Sequence, residues 1–239
     1  MNTRLSSPMR RHDLPRFSVS KLGEYSEAVS PFRRQTLIRE QKFPDDFIVA
    51  YYAPARRAIV GALSGDPNAV PKALAGLASK RASATTDWEA KQISSNLEAL
   101  AAFVAGTWPT LSRAKLLPTR IGQPKLEIAG VQVSVEPDLL IVMPNKVGGS
   151  EVGLVKLYIV KSHPLGDHGG SLAASVCHQW AIANAALAGS VTHKQIYVLD
   201  IFRGRSFAAP KAFKQRMNDA SAACREIATQ WPSISKQLS

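Results

Sequence analysis

The chain has 239 residues, with 30 lysines and arginines against 18 aspartates and glutamates, which gives a formal net charge of +12. This length suits one domain with a sizeable core, and the positive excess favours a polyanionic partner, first of all nucleic acid and here expected to be DNA. Two cysteines without metal-ligand spacing argue against a disulfide framework and a zinc site. Because the sequence has neither a signal segment nor a run of about 18 apolar residues, we expect a soluble cytoplasmic protein without a membrane partner.

The first half of the chain has the apolar spacing of helices. Residues 1–16 are polar, basic and without a period, so we predict a flexible basic arm there and a single domain over residues 17–239. Residues 17–110 form the helical part of that domain. Helices are predicted from Ser18 or Ser20 to residue 29, over 32–42 after Ser30-Pro31, over 47–63 with a bend or break at Pro54, from Asp66-Pro67 onward, and over 86–106.

Strand patterns begin in the second half, where residues 111–205 form the predicted sheet core. Two β-favouring runs, Leu126–Ile128 and 131–135, are joined at Ala129-Gly130 and predict a hairpin at which the sheet begins. Further along the chain we predict strands over 139–143, 154–160 and 195–202, and helices over 171–187 and, within 206–239, from Ala209-Pro210 to about residue 227. The fold class is therefore α/β of the α+β type, a central mixed sheet flanked by helices.

An acid and a lysine lie on neighbouring predicted strands. Asp138 follows Glu136-Pro137 at the start of one apolar run, and Lys156 lies inside the next. A metal-dependent phosphodiester hydrolase needs a carboxylate to hold Mg²⁺ and a cation to steady the attacking water or the phosphate. A lysine within an apolar strand is rarely buried without a partner, so a structural ion pair with Asp138 is the alternative role.

The order of these motifs resembles the PD-(D/E)XK nuclease superfamily, in particular its RecB-like branch. The matching residues are Pro137-Asp138, then Lys156, then Gln179 on a helix, then the strand over 196–201 that ends at Arg203-Gly204-Arg205. The resemblance covers about residues 126–205, and the segments 18–22 and 30–34 look like the opening helices of the same branch. It implies a restriction-endonuclease-like central sheet and metal-dependent cleavage of DNA.

The resemblance also implies roles for individual residues. Asp138 and Glu98, with the Val155 carbonyl, would hold Mg²⁺ or Mn²⁺, and Glu89 is a second choice for the acid on the preceding helix. Lys156 would activate water or stabilise the phosphate. Gln179 would orient the site. Glu98 is needed because Leu154 occupies the position two residues before the lysine, where the family carries an acid.

Further departures from the family leave three functions open. Ala183 follows Gln179 at the position where the family has a tyrosine, so that motif is only half matched, and His163, Asp167 and His168 lie in a glycine-rich loop without a recognised metal spacing. The chain is therefore a metal-dependent nuclease, or an inactive nuclease-fold protein that binds nucleic acid or a partner protein, or an unrelated α/β interaction protein. Convergence of Asp138 and Lys156 at one end of a sheet separates the first two from the third. A phosphate-binding loop and a nucleophile elbow are both missing from the sequence, which disfavours an NTPase, a Rossmann enzyme or a serine hydrolase.

Overall fold

The structure is a computed structural model that describes residues 11–44, 51–111, 114–120, 122–145 and 148–235. Within these ranges the chain forms seven α-helices and eight β-strands, arranged as two sheets with helices packed around them. This confirms the predicted α+β class. No helix among the described residues is both long and apolar enough to cross a membrane.

The helices follow the predicted pattern closely because their signals are local. They are α1 (Val19–Glu27), α2 (Pro31–Lys42), α3 (Ala53–Leu63), α4 (Ala69–Ala82), α5 (Asp87–Ala105), α6 (Asp167–Asn184) and α7 (Phe213–Gln230). The Ser18 hydroxyl accepts from the Lys21 N–H at the start of α1, and the Thr86 hydroxyl accepts from the Glu89 N–H at the start of α5. Such side-chain caps satisfy amide groups that have no partner inside the helix.

Pro54 lies in the first turn of α3. Proline is tolerated there, since its missing N–H would have no intrahelical partner at that position. Of the helix predicted over 47–63 with a bend or break at Pro54, the structure shows the part that begins at Ala53. Residues 45–50, where the predicted helix would have begun, lie outside the described residues.

The larger sheet has five strands and mixed direction. It contains β2 (Lys115–Pro118), β5 (Leu139–Pro144), β6 (Ser150–Tyr158), β7 (Ser190–Asp200) and β8 (Arg205–Ala208), in the order β2-β5-β6-β7-β8. Strands β6 and β7 are parallel, and the other neighbouring pairs are antiparallel. The pairing sets Leu139 opposite Val155, which brings the start of β5 to the end of β6.

The predicted hairpin forms, but in a second, smaller sheet. Strands β3 (Leu126–Ile128) and β4 (Val131–Ser134) pair antiparallel, and β1 (Arg16–Ser18) pairs parallel with β4. The turn residues Ala129 and Gly130 have φ of 46° and 81°, as a two-residue hairpin turn requires. The expectation that this hairpin opens the central sheet is therefore wrong, because β3 and β4 form a separate sheet with β1 and are not among the five strands of the larger sheet.

The chain is ordered before residue 17, the predicted start of the domain. Arg16 begins β1, and the His12 N–H donates to the Lys42 carbonyl at 2.9 Å. Residues 1–10, most of the predicted basic arm, lie outside the described residues.

Both faces of the larger sheet are covered, as its apolar strands predict. Alternate residues of β6 point to opposite sides, so Val155 and Leu157 pack with α3, α4 and α5, whereas Leu154 and Tyr158 pack with α1, α6 and α7. Lys156 lies two residues from both Leu154 and Tyr158, so it shares their face of the strand and points to the α6 side. Its ammonium group must find polar partners inside an otherwise apolar layer.

Candidate functional site

Asp138 and Lys156 meet at one end of the larger sheet. The Lys156 Nζ lies 3.5 Å from the Asp138 Oδ2, and the two side chains are 11% and 6% exposed. The antiparallel pairing of β5 and β6 produces this contact, because Asp138 immediately precedes β5 and Lys156 lies near the end of β6. The convergence that the family resemblance implies is present.

Both oxygens of the Asp138 carboxylate are occupied by donors. The Leu157 N–H donates to Oδ2 at 2.7 Å, and the Arg56 Nη1 of α3 donates to Oδ1. Burial would raise the pKa of Asp138, but the charges of Lys156 and Arg56 and the Leu157 N–H hold it below its ordinary value. Asp138 is therefore a carboxylate anion held between two cations.

Lys156 is held by two acceptors. Besides the Asp138 carboxylate, its Nζ donates to the Glu136 carbonyl at 2.6 Å. Burial lowers the pKa of Lys156, while the negative charge of Asp138 opposes that shift. The lysine that the sequence assigns to catalysis thus has the bonding of a buried structural ion pair, the alternative considered for it.

Glu98 is engaged away from this pair. Its Oε2 accepts from the Lys161 Nζ at 2.6 Å, and the two side chains are 50% and 61% exposed. Within the described residues, neither a hydrogen bond nor an ion pair joins Glu98 to Asp138 or Lys156. Glu89, the second choice, accepts from the Thr85 N–H at the start of α5.

A divalent cation does not fit the residues gathered at Asp138. Mg²⁺ and Mn²⁺ take several oxygen ligands, yet the described residues contain no group of three or more His, Cys, Asp or Glu side chains that could hold a metal ion. The Val155 carbonyl accepts from the Asp138 N–H at 2.8 Å, and the fully buried side chain of Leu154 has no oxygen that could bind a metal ion. Two cations already neutralise the one carboxylate present.

Gln179 is not brought to the pair. It lies half-buried on α6 and has no hydrogen-bond partner in the part of the chain that the structure describes. Cys177 on the same helix is fully buried and lies close enough to Lys156 to perturb its pKa. Two residues advance a helix by about 200°, so Gln179 points away from the side of α6 on which Cys177 faces Lys156.

Arg56 belongs to the site and was missed by sequence reasoning. It contacts Asp138, and its Nη2 also donates to the Leu157 carbonyl at 3.5 Å. In the sequence it is one of two adjacent arginines on an amphipathic helix, and the exposed neighbour Arg57 has the same local signal. Only the packing of α3 against the sheet distinguishes them.

A cleft of about 820 Å³ opens on the other side of Arg56. Its walls come from α1, α2, the start of α3 and the segment that follows β6. The side chains that matter for its chemistry are Lys21, Arg33, Tyr51, Tyr52, Arg56 and Lys161. Asp138 and Lys156 lie behind Arg56, so Arg56 connects the buried pair with the cleft.

The charges in the cleft are balanced by acids. The Lys21 Nζ lies 3.0 Å from an oxygen of Glu24 and 2.9 Å from one of Glu40, and Arg33 contacts the same two acids. Glu24 is 7% exposed and lies 3.7 Å from the His163 Nδ1. His163, which the sequence places in a glycine-rich loop, forms part of the cleft wall.

Comparison with known proteins adds no relative to this geometry. No protein-family model matches the sequence, and no curated protein matches it. The arrangement of Asp138, Lys156, Arg56 and the adjoining cleft is thus the basis for assigning a function.

Proposed function

We propose that this protein binds nucleic acid, with DNA as the expected ligand, through a nuclease-like α+β scaffold that does not cleave it. The observation that carries the proposal is the occupancy of the Asp138 carboxylate by Arg56, Lys156 and the Leu157 N–H. A carboxylate so engaged stabilises the fold, because three of its about four lone-pair sites already face donors, and little of it is left for a hydrolytic metal ion.

The charge of the chain supports a polyanionic ligand. Of its net charge of +12, much is carried by side chains with no ion pair among the described residues. Among these cations are Arg57, Lys72, Lys80, Arg81, Lys91, Lys115, Lys194, Lys211 and Lys214. Charges that no neighbouring acid neutralises remain available for phosphates, and phosphate contacts supply most of non-specific affinity.

The free cysteines support the expected setting. Cys177 and Cys224 are both free and buried. Thiols persist in reducing compartments, so we assign this binding activity to the cytoplasm.

A salt series tests the proposal. Fluorescence anisotropy of labelled single-stranded and duplex DNA, measured in EDTA, is expected to show binding whose log affinity falls linearly with log salt concentration. On duplex the slope should be about −0.9 for every phosphate contacted. Absence of binding at low salt would overturn the proposal.

A metal-dependent nuclease is the second candidate function, favoured by one observation. Asp138 and Lys156 meet on adjacent strands at 3.5 Å, as the resemblance to the PD-(D/E)XK superfamily implies. This candidate predicts cleavage of DNA in Mg²⁺ or Mn²⁺ that is lost in both Asp138→Asn and Lys156→Met. Asp167→Asn is the matched control, because Asp167 is 86% exposed and pairs only with Arg205 among the described residues.

A further inference from the structure

We infer that the cleft beside Arg56 takes up an unpaired base of a single-stranded nucleic acid, stacked against Tyr51 or Tyr52. This inference rests on the proposed function and names the ligand class more narrowly. The cleft of about 820 Å³ lies within the usual range of ligand pockets and has room for a nucleoside unit with a flanking phosphate.

The two tyrosines have no parallel stacking partner within the described residues. Tyr51 meets Tyr52 at an interplanar angle of 76° and Trp88 at 80°, and Tyr52 meets Phe202 at 68°. These contacts are all edge-to-face. Every nucleobase has a flat π-face, and stacking on an aromatic side chain therefore binds bases with little regard to sequence.

Two cations of the cleft can bind a phosphate next to that base. Arg56 is 38% exposed and Lys161 is 61% exposed, so each presents donors to solvent although each has one acidic partner. A guanidinium has five N–H donors, and the Asp138 carboxylate and the Leu157 carbonyl engage only part of them. A single flanking phosphate can use the remainder.

The charge balance of the cleft argues against a polyphosphate as its ligand. With Lys156 behind Arg56 included, the cations Lys21, Arg33, Arg56, Lys156 and Lys161 exceed the carboxylates Glu24, Glu40, Asp138 and Glu98 by only one charge, five against four. A site with this balance gains little from several negative charges in close succession. An uncharged base with one phosphate suits it better.

Single strands are the form of nucleic acid that can supply such a base. In a duplex each base is stacked and paired, and its extraction costs a few kcal/mol. We therefore assign unpaired segments to the cleft and leave duplex contacts to the ion-pair-free cations of the surface.

The experiment compares three ligands of equal length on the full chain: an oligothymidylate, the same strand with abasic sites at its centre, and a duplex. The strands with and without bases carry the same phosphates, so the comparison isolates the base. Anisotropy titrations at low salt are expected to show roughly tenfold weaker binding of the abasic strand, the order that stacking supplies per base.

Variants identify the cleft as the location. Tyr51→Leu should weaken binding of the oligothymidylate by a similar factor and leave the abasic strand unchanged. Phe32→Leu is the matched control, because Phe32 is 73% exposed on α2 and does not line the cleft. The Tyr51 hydroxyl also lies 3.1 Å from the Ser95 hydroxyl, and the variant loses this hydrogen bond. Thermal unfolding of the variant is therefore measured together with its affinity, so that a loss of stability is distinguished from a loss of base binding.

The outcomes separate the two proposals. Equal affinity for the abasic strand and the oligothymidylate would overturn the base-binding inference while nucleic-acid binding stands. If no ligand binds at low salt, nucleic-acid binding itself fails and the inference fails with it. Weaker binding of the abasic strand together with the Tyr51→Leu effect supports both.

Discussion

The Arg56 guanidinium donates a hydrogen bond to the Asp138 carboxylate, across 82 residues of sequence. This contact fixes the start of α3 against the point where β5 begins and β6 ends. The same carboxylate binds Lys156 and the Leu157 N–H. The residues that resemble a catalytic centre are therefore also a tertiary junction, and their substitution has consequences for stability as well as for binding.

Replacing Arg56 tests the junction from its more exposed side. Arg56→Met removes one of two cations from Asp138, and we expect the free energy of unfolding to fall by about 1 to 2 kcal/mol, because Lys156 still compensates the buried carboxylate. Denaturant unfolding measures this change. Arg57→Met is the matched control, since Arg57 is exposed and should change stability by less than about 0.5 kcal/mol. Equal effects of the two substitutions would contradict the assigned contact.

Asp138→Asn is expected to show a characteristic pH dependence. At neutral pH it leaves Arg56 and Lys156 without their shared anion and should cost about 3 kcal/mol or more. Because the folded-state pKa of Asp138 is lowered, its contribution is complete above the ordinary value of 3.8 and is lost as the pH falls below it. The stability difference between wild type and variant should therefore shrink only below about pH 4.

The control for this pH profile is an exposed aspartate. Asp167→Asn removes a surface ion pair with Arg205, which should contribute no more than about 1 kcal/mol at any pH. A stability difference for Asp138→Asn that is equally small at neutral pH, or that increases as the solution is acidified, would contradict the assignment of a buried anion.

Lys42 is expected to stabilise the C-terminal end of the fold. It is 4% exposed, and its Nζ donates to the carbonyls of Trp231 at 2.6 Å and Ile234 at 2.8 Å. Lys42→Met leaves these carbonyls without a donor and should cost about 2 to 3 kcal/mol. Thermal unfolding measures this cost. Lys91→Met, at an exposed lysine of α5, is the control and should leave the stability close to that of the wild type. A neutral result for Lys42→Met would show that water replaces the ammonium group.

Glu27 is expected to stabilise the first turn of α6. Its two carboxylate oxygens accept from the N–H groups of Gly166 and Gly169, each at 2.8 Å, although Glu27 is 139 and 142 residues away from them in the sequence. An acid at a helix N-terminus also interacts favourably with the helix dipole. Glu27→Ala should therefore lower stability by about 1 to 2 kcal/mol.

Glu127→Ala is the comparison for this cap. Glu127 is exposed on β3 and has no hydrogen-bonded side-chain partner in the described part of the chain. Its loss should leave the free energy of unfolding within about 0.5 kcal/mol of the wild-type value. Hydrogen exchange at the start of α6 adds a local readout, since Glu27→Ala should accelerate exchange of the Gly169 amide whereas Glu127→Ala should not.

Elements with local signals were predicted well, and elements that depend on distant partners were not. Helix α5 begins at a Thr86 cap and has helical apolar spacing, so nearby sequence suffices to define it. Strand β1 has three residues and forms by pairing Phe17 with Val133. The four-residue strands β2 and β8 likewise gain their stability from neighbouring strands, and sequence patterns that short do not identify them.

The candidate site shows the same division. Asp138 and Lys156 could be placed together because two successive apolar strands tend to pair. The contact of Arg56 with Asp138 and the pairing of Glu98 with Lys161 depend on how α3 and α5 pack on the sheet, which residue spacing does not encode. The metal ligation by Asp138 and Glu98 stays a prediction of the resemblance, and in the structure these two acids contact different cations.

The most direct test of binding without cleavage follows retention and strand length in the same samples. End-labelled single-stranded and duplex DNA are incubated with the protein at low salt in Mg²⁺, in Mn²⁺ and in EDTA, and each sample is then divided between a native gel and a denaturing gel. We predict retarded complexes that dissociate as salt increases and strands of full length under all three conditions. Shortened strands that require the metal ion, and that disappear with Asp138→Asn, would contradict this account and identify an active nuclease.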